Sequence, residues 1–298
     1  MSKRTIALFG ATLVSIIYGL TFTIAKDVMP AYVDAYGFIL LRVGGSTLLF
    51  WMAWLFMPKE KIDPSDFPRI VAAAFFGVAF NMLTFFKGLS LTSPISAAVI
   101  MVTTPMIVLI LSAIIMKERM RKRMVTGIVL GLIGTGSLIL YGKAIGSSSN
   151  ATLGNLLVLV NAISYGFYLI IVKKLMDKYN AFTFVKWIYL FGLLMVLPFG
   201  WSQIEALNWT ALPLDISWKI GFVVVISTFL TYLLNLLTMK ELKPTTVAVF
   251  IYLQPFFATV FAISLGKDEL SFTKIASALL IFIGVYMVTQ KPALKPTS

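Results

Sequence analysis

PISAAVIMVTTPMIVLILSAIIMKE, residues 94–118, and PTTVAVFIYLQPFFATVFAISLGKD, residues 244–268, follow one plan. Each opens on a proline (Pro94, Pro244) and carries a second proline 11 residues later (Pro105, Pro255). Each then reaches an acid 13 residues further on (Glu118, Asp268), and Gly134 matches Gly284. These four correspondences share an offset of 150. A second set, Tyr18-Gly19 with Lys26 against Tyr165-Gly166 with Lys173, shares an offset of 147. The three-residue change is expected in the loops between the second and third helices of each half. Ordered matches at a fixed spacing mark an internal duplication.

Between these landmarks the chain is apolar in long blocks. Of its 298 residues, 59% are hydrophobic and 12% charged, whereas a soluble domain carries about 25% charged residues. A block of about 20 apolar residues spans a hydrocarbon core of ~30 Å. Inside lipid every backbone polar group must be paired, which leaves helices or a closed barrel. The blocks lack the alternation of barrel strands. The sequence therefore predicts an all-α integral membrane protein of ten transmembrane helices. They fall near 5–25, 34–57, 68–91, 95–116, 123–141, 152–175, 181–200, 216–239, 244–266 and 272–290. The first apolar run continues to about Ala25, too long for a secretory leader, and reads as an uncleaved helix.

Lys and Arg in the connections divide 17 to 6 between the two sides. That bias puts both termini in the cytoplasm of a multi-pass protein, expected in a bacterial inner membrane. The net charge of +13 is read as this loop charge and not as a nucleic-acid surface. Residues 142–151, with Gly146-Ser147-Ser148-Ser149-Asn150, have linker composition. They separate a unit at 5–141 from one at 152–290, and 291–298 form a tail. Trp201 to Trp218, with Trp209, reads as the longest loop and as an interfacial one; a lid is the alternative. Five helices per unit is an odd number, so the second unit enters from the opposite side. Inverted repeats are the plan of many secondary transporters, in which exchange of conformation between halves opens a central site to either side.

The run Tyr18-Gly19-Leu20-Thr21-Phe22-Thr23-Ile24-Ala25-Lys26, and Pro94 to Glu118 with its mid-helix Pro105 and closing Lys117-Glu118, resemble the EamA-like group of drug/metabolite transporters. The resemblance covers nearly all of the chain as two tandem units. It implies a ten-helix carrier working by alternating access, and related members export amino acids or other metabolites. The second unit departs from the pattern at Gly266-Lys267-Asp268-Glu269, where a structural turn is expected.

Pro105 and Pro255 sit about 11 residues into their helices, ~16 Å deep at 1.5 Å per residue, near the middle of the core. Proline cannot donate to the fourth residue before it. The carbonyls of Met101 and Ile251 are thus candidate free acceptors beside helix breaks that would line a substrate site. Pro94 and Pro244 suit a first helical turn, with Ser93 as a cap. Thr228, Thr231, Tyr232 and Asn235 share one helix face. Asn161, Tyr165 and Tyr168 form a similar stripe, Asn81 with Thr84 a weaker one, and Ser15, Tyr18 and Thr21 another. Tyr252 and Gln254 flank Pro255. The candidate substrate-binding set is Tyr18, Thr21, Arg42, Asn81, Asn161, Tyr165, Tyr168, Thr231, Tyr232, Asn235, Tyr252 and Gln254. A Ser or Thr taken singly is expected to bond between helices. Arg42, eight residues into its helix, either snorkels outward or meets a substrate carboxylate or phosphate. Lys87 and Lys186 are expected to snorkel.

All 12 acids fall in loops or at helix ends, and there is no His or Cys. No buried carboxylate is therefore expected to relay protons, and no metal or cofactor is expected. An enzyme would need a nucleophile with a base, or a metal. No phosphate-cradling GxxxxGK[ST] loop supports ATP-driven pumping. The reading is a secondary carrier exporting amino acids or related small metabolites by facilitated diffusion or exchange. Drug efflux is the closest alternative, and a non-transporting sensor or assembly factor a third. Arg, Asn, Gln and Tyr around apolar surface suit zwitterions with some apolar bulk. The partners are a small-molecule substrate and the lipid bilayer, with no nucleic acid; a homodimer is left open.

Overall fold

The structure, a computed structural model, describes residues 3–57, 59–116, 122–141, 150–241 and 253–289. All elements among them are helical. In chain order they are α1 (Lys3–Val28), α2 (Ala35–Trp54), α3 (Phe67–Ala74), α4 (Phe80–Leu91), α5 (Pro94–Met101), α6 (Thr104–Met116), α7 (Lys122–Tyr141), α8 (Ala151–Lys178), α9 (Ala181–Glu205), α10 (Leu214–Gly221), α11 (Thr231–Glu241), α12 (Gln254–Ser264) and α13 (Phe272–Thr289). A π-helical segment, Phe75–Ala79, joins α3 to α4, and another, Phe222–Leu230, joins α10 to α11. Six helical stretches are long and apolar enough to cross a membrane: Thr5–Val28, Ala35–Trp54, Pro64–Leu91, Ala151–Lys178, Phe182–Glu205 and Leu214–Asn235. Pro94–Val108, Gln254–Ser264 and Phe272–Met287 are shorter apolar helices.

The boundaries follow local chemistry. The Ser93 hydroxyl accepts from the Ser96 N–H (3.2 Å) and Pro94 opens α5 where a missing N–H is harmless. Asn180 caps α9 through the Phe182 N–H (3.1 Å). The predicted helix at 95–116 is two helices, because Pro105 cannot donate and the chain breaks at Val102-Thr103. The loop expected from Trp201 to Trp218 is shorter: α9 runs on through Pro198 to Glu205, and α10 begins at Leu214. The predicted helix at 244–266 is described from Gln254 onward; Pro244, Ile251 and Tyr252 lie outside the described residues. The two π segments start 147 residues apart. The three-residue change in offset therefore falls after the third helix and not in the loop before it.

Side-chain packing respects the same offsets. A Cβ on Gly19 of α1 would lie 2.5 Å from the Cβ of Phe257 in α12, and one on Gly166 of α8 would lie 3.2 Å from the Ile107 side chain in α6. Residues 107 and 257 are 150 apart. Gly134 and Gly284 occupy one interface, between α7 and α13: a Cβ on Gly134 would approach the Ser277 carbonyl to 2.8 Å, and one on Gly284 the Gly127 carbonyl to 2.5 Å. Glycine here lets two backbones touch. The outer faces of this pair are apolar and bare, with Val129, Leu132, Leu279 and Ile283 all exposed, as hydrocarbon surroundings allow.

α1 and α8, which the 147 offset matches, run in opposite directions. Lys26, near the end of α1, donates to the carbonyls of Leu89 (3.1 Å) and Ser90 (2.6 Å) at the end of α4. Lys178, the last residue of α8, pairs with Asp66 (2.6 Å) at the start of the third helix. The two ends of the bundle are named below after Asp27 and Asp66.

Candidate substrate cavity

Polar side chains inside the bundle are satisfied in two ways. Thr12, Ser15 and Thr135 donate to the carbonyl four residues back in their own helix (2.8–3.1 Å), while the Thr47 hydroxyl reaches both the Val43 carbonyl of its own helix (2.7 Å) and the Tyr189 carbonyl of α9 (3.2 Å). The expectation that single hydroxyls would mainly link helices is corrected accordingly: a carbonyl one turn away is the nearest acceptor a helix offers. A smaller set links helices near mid-depth. Thr21 approaches Ser227 (2.8 Å), Asn161 Nδ2 donates to the Asn81 carbonyl (2.8 Å), and Ser164 donates to the Phe76 carbonyl (2.7 Å).

These links border a cavity of about 330 Å³, within the usual size range of small-molecule sites. Eleven of the fourteen residues singled out from sequence, prolines included, line it: Tyr18, Thr21, Arg42, Asn81, Asn161, Tyr165, Tyr168, Tyr232, Asn235, Gln254 and Pro255. Thr231 stands just behind, donating to the Ser227 carbonyl (2.6 Å) and 3.4 Å from the Tyr18 hydroxyl. Pro105 does not line it, although Met101 and Thr104 do. Nor is the Met101 carbonyl free, since the Thr104 hydroxyl donates to it (2.8 Å). The helix break therefore shapes the wall without leaving an open acceptor at Met101.

The wall is mainly apolar and rich in aromatic rings. Tyr165 stacks on Tyr168 (centroids 5.6 Å apart), and the Tyr168 and Tyr232 hydroxyls meet at 3.4 Å. Phe22, Phe85, Phe86, Phe184 and Tyr189 add further rings. Sequence reading missed Tyr189, which sits among apolar neighbours. The 147 offset would have found it, because it carries Arg42 onto Tyr189. The same offset relates Tyr18 to Tyr165, Thr21 to Tyr168 and Phe85 to Tyr232, and the 150 offset relates Thr104 to Gln254. All ten of these residues line the cavity.

Arg42 does not snorkel. Its guanidinium lies 4.8 Å from the Phe86 ring centroid, and its Nε is shielded from solvent without an acceptor. Asn161 Oδ1 is likewise buried without a donor. Lys186 does not snorkel either. It is 4% exposed and its Nζ lies against Trp54 (3.1 Å to the centroid) and Trp51 (4.8 Å), because the ends of α2 and α9 bring those rings around it.

The expectation of no buried carboxylate is corrected at the two ends of the bundle. Asp66 and Asp268 are buried, at 7% and 5% exposure. Asp268 pairs with Lys274 and accepts from the N–H groups of Ile95 (3.2 Å) and Glu269 (2.8 Å). It is the structural turn expected there. Neither acid lines the cavity, and no other acid does among the described residues.

Comparison with known proteins gives this architecture its kin. A family model described as the EamA-like transporter family matches residues 5–140 and 152–290. An uncharacterized transporter of Archaeoglobus fulgidus is 26% identical over 92% of this chain and 95% of its own length. The uncharacterized transporter YyaM of Bacillus subtilis is 23% identical over 91% and 89%. A biotin transporter of Salmonella typhimurium is 26% identical over 63% of this chain and 61% of its own. A solved crystal structure superposes with a TM-score of 0.61 over 97% of this chain and 98% of that one, at 18% identity, which concerns the fold alone. With two matches that together span most of its length, the chain belongs to the EamA-like transporter family.

Proposed function

We propose that this protein is a secondary carrier of ten membrane-spanning helices, in two units of opposite orientation, that moves a small amphipathic metabolite by alternating access. One observation carries the reading: offset-related residues of both units meet on one cavity. Tyr18 faces it with Tyr165, Arg42 with Tyr189, and Phe85 with Tyr232. The opposed courses of α1 and α8 agree with inversion, and the shared glycine interface of α7 and α13 agrees with duplication. A site on the axis between inverted units can be exposed to either side by exchanging their conformations.

The Lys and Arg bias makes the Asp66 end cytoplasmic, with both termini on that side and the bacterial inner membrane as the host. The cavity lining runs from Met176, two residues from Lys178, to Phe86, three residues from Leu89 at the opposite end. Opened to the cytoplasm, such a cavity is loaded for export. Amino acids and related compounds are the first solutes to test, and the name of the Salmonella relative adds biotin. The wide aromatic wall favours drug-like amines as the second reading. Purified protein in liposomes should exchange at least one labelled amino acid, biotin or aromatic amine faster than protein-free liposomes. Absence of flux for all three classes contradicts the proposal.

A further inference from the structure

The cavity holds one guanidinium and, among the described residues, no acid. A lone cation at this depth costs a few kcal/mol, and Arg42 enters none of the ion pairs of the described residues. Its surroundings compensate in part. Phe86 offers a ring face. The Nε–H still has no acceptor. Buried donors are paired as a rule, and each exception calls for an explanation. A guanidinium is also the side chain best shaped to hold a carboxylate with two parallel hydrogen bonds.

A second orphan sets the other pole. The Asn161 amide is oriented by its Nδ2 donating to the Asn81 carbonyl, which leaves Oδ1 buried and unpartnered. Both orphans belong to cavity-lining residues, and the rest of the wall is mainly apolar, with aromatic rings among it. No acid among the described residues lines the cavity to receive an ammonium group.

We infer that the substrate is an organic monoanion, a carboxylate on an apolar or aromatic body that also carries an N–H or O–H donor, with Arg42 receiving the carboxylate and Asn161 the donor. This rests on the carrier reading and narrows it: the negative charge is what the site selects, and the ammonium of a zwitterion adds nothing.

Four indole compounds of similar size separate the possibilities: indole-3-acetate (anion), indole-3-acetamide (neutral), tryptamine (cation) and tryptophan (zwitterion). Binding to the detergent-solubilised full-length protein is measured by equilibrium dialysis. Indole-3-acetate should bind about tenfold or more tightly than the acetamide or tryptamine, as a charge-assisted pair implies, and no more weakly than tryptophan. Arg42→Gln should remove that preference, bringing indole-3-acetate to no tighter than the acetamide, and Arg42→Lys should retain part of it. Asn161→Leu should weaken indole-3-acetate and the acetamide together. Equal or tighter binding of the acetamide or tryptamine, tighter binding of tryptophan than of indole-3-acetate, or no binding of any probe overturns the inference. The wild-type comparison decides this even where Arg42→Gln fails to fold. Because binding needs no flux, the two readings fail separately. Anion preference without transport removes the carrier, and transport without anion preference removes the anion site.

Discussion

At both ends of the bundle the first unit supplies acid and the second supplies base, in reversed proportion: one acid between two bases at one end, one base between two acids at the other. At one end the acid is in the first unit: Asp27 of α1 lies between Lys219 (2.8 Å) and Lys267 (2.6 Å) of the second. At the other end the base is in the second unit: Lys178 of α8 pairs with Asp66 (2.6 Å) and Asp63 (3.4 Å) of the first. The difference lies in burial. The Asp27 side chain is 16% exposed, and close by, the side chains of Asp268 and Lys274 are sealed at 0% and 1%. At the other end the Asp66 side chain is 10% exposed, but its partner Lys178 is 49% exposed and no sealed ion pair lies beside it among the described residues. Exposed ion pairs are worth about 0–1 kcal/mol, because water screens them and two long side chains lose freedom. The Asp27 end is therefore the more firmly fastened one.

Breaking the buried pair is expected to have the largest effect. Asp268→Ala leaves the buried Lys274 ammonium with only the Glu269 carbonyl (2.8 Å) and strands the Ile95 N–H, and loss of one partner of a buried pair costs about 3–5 kcal/mol. Thermal unfolding in detergent should fall sharply. A drop no larger than that of an exposed substitution would make the two ends energetically alike. Asp27→Asn acts next, on closure more than on stability. The chain has no cysteine, so a single cysteine at Phe22 reports on that end alone. With Asn at 27, a membrane-impermeant maleimide added outside whole cells should label it about tenfold faster, the scale of one lost charge-assisted bond. Unchanged labelling would show that Asp27 fastens nothing. Lys178→Gln should do least, shifting stability by less than about 1 kcal/mol and leaving labelling at Phe22 unaltered. A larger effect there would reverse the order of the two ends.

This contrast is also where sequence reading reached its limit. Apolar blocks announce helices one at a time, and the recurrences of Pro94 and Pro105 at Pro244 and Pro255 announce the duplication. Neither needs a tertiary contact. Arg42, Tyr165 and Asn161 were legible because a polar group within an apolar block has few places to go. The pairing of Asp268 with Lys274 was not legible, since it folds a turn of six residues back under the start of α5. The tryptophans around Lys186 come from a helix more than 130 residues earlier in the chain. The π segments carry no proline and differ in sequence, so only their common offset identifies them. Tyr189 was within reach of the offset and was passed over because no polar neighbour marked it.

Access to the cavity from both sides tests the account most directly. Val14 lines the cavity and is buried, so a cysteine there sees only what enters the cavity. Labelled with an impermeant maleimide in right-side-out and in inside-out vesicles, it should react from both sides. The cytoplasmic side should be faster at rest, and Asp27→Asn should shift the balance outward. Reaction from one side alone, in both backgrounds, would contradict two units that open the same cavity in turn.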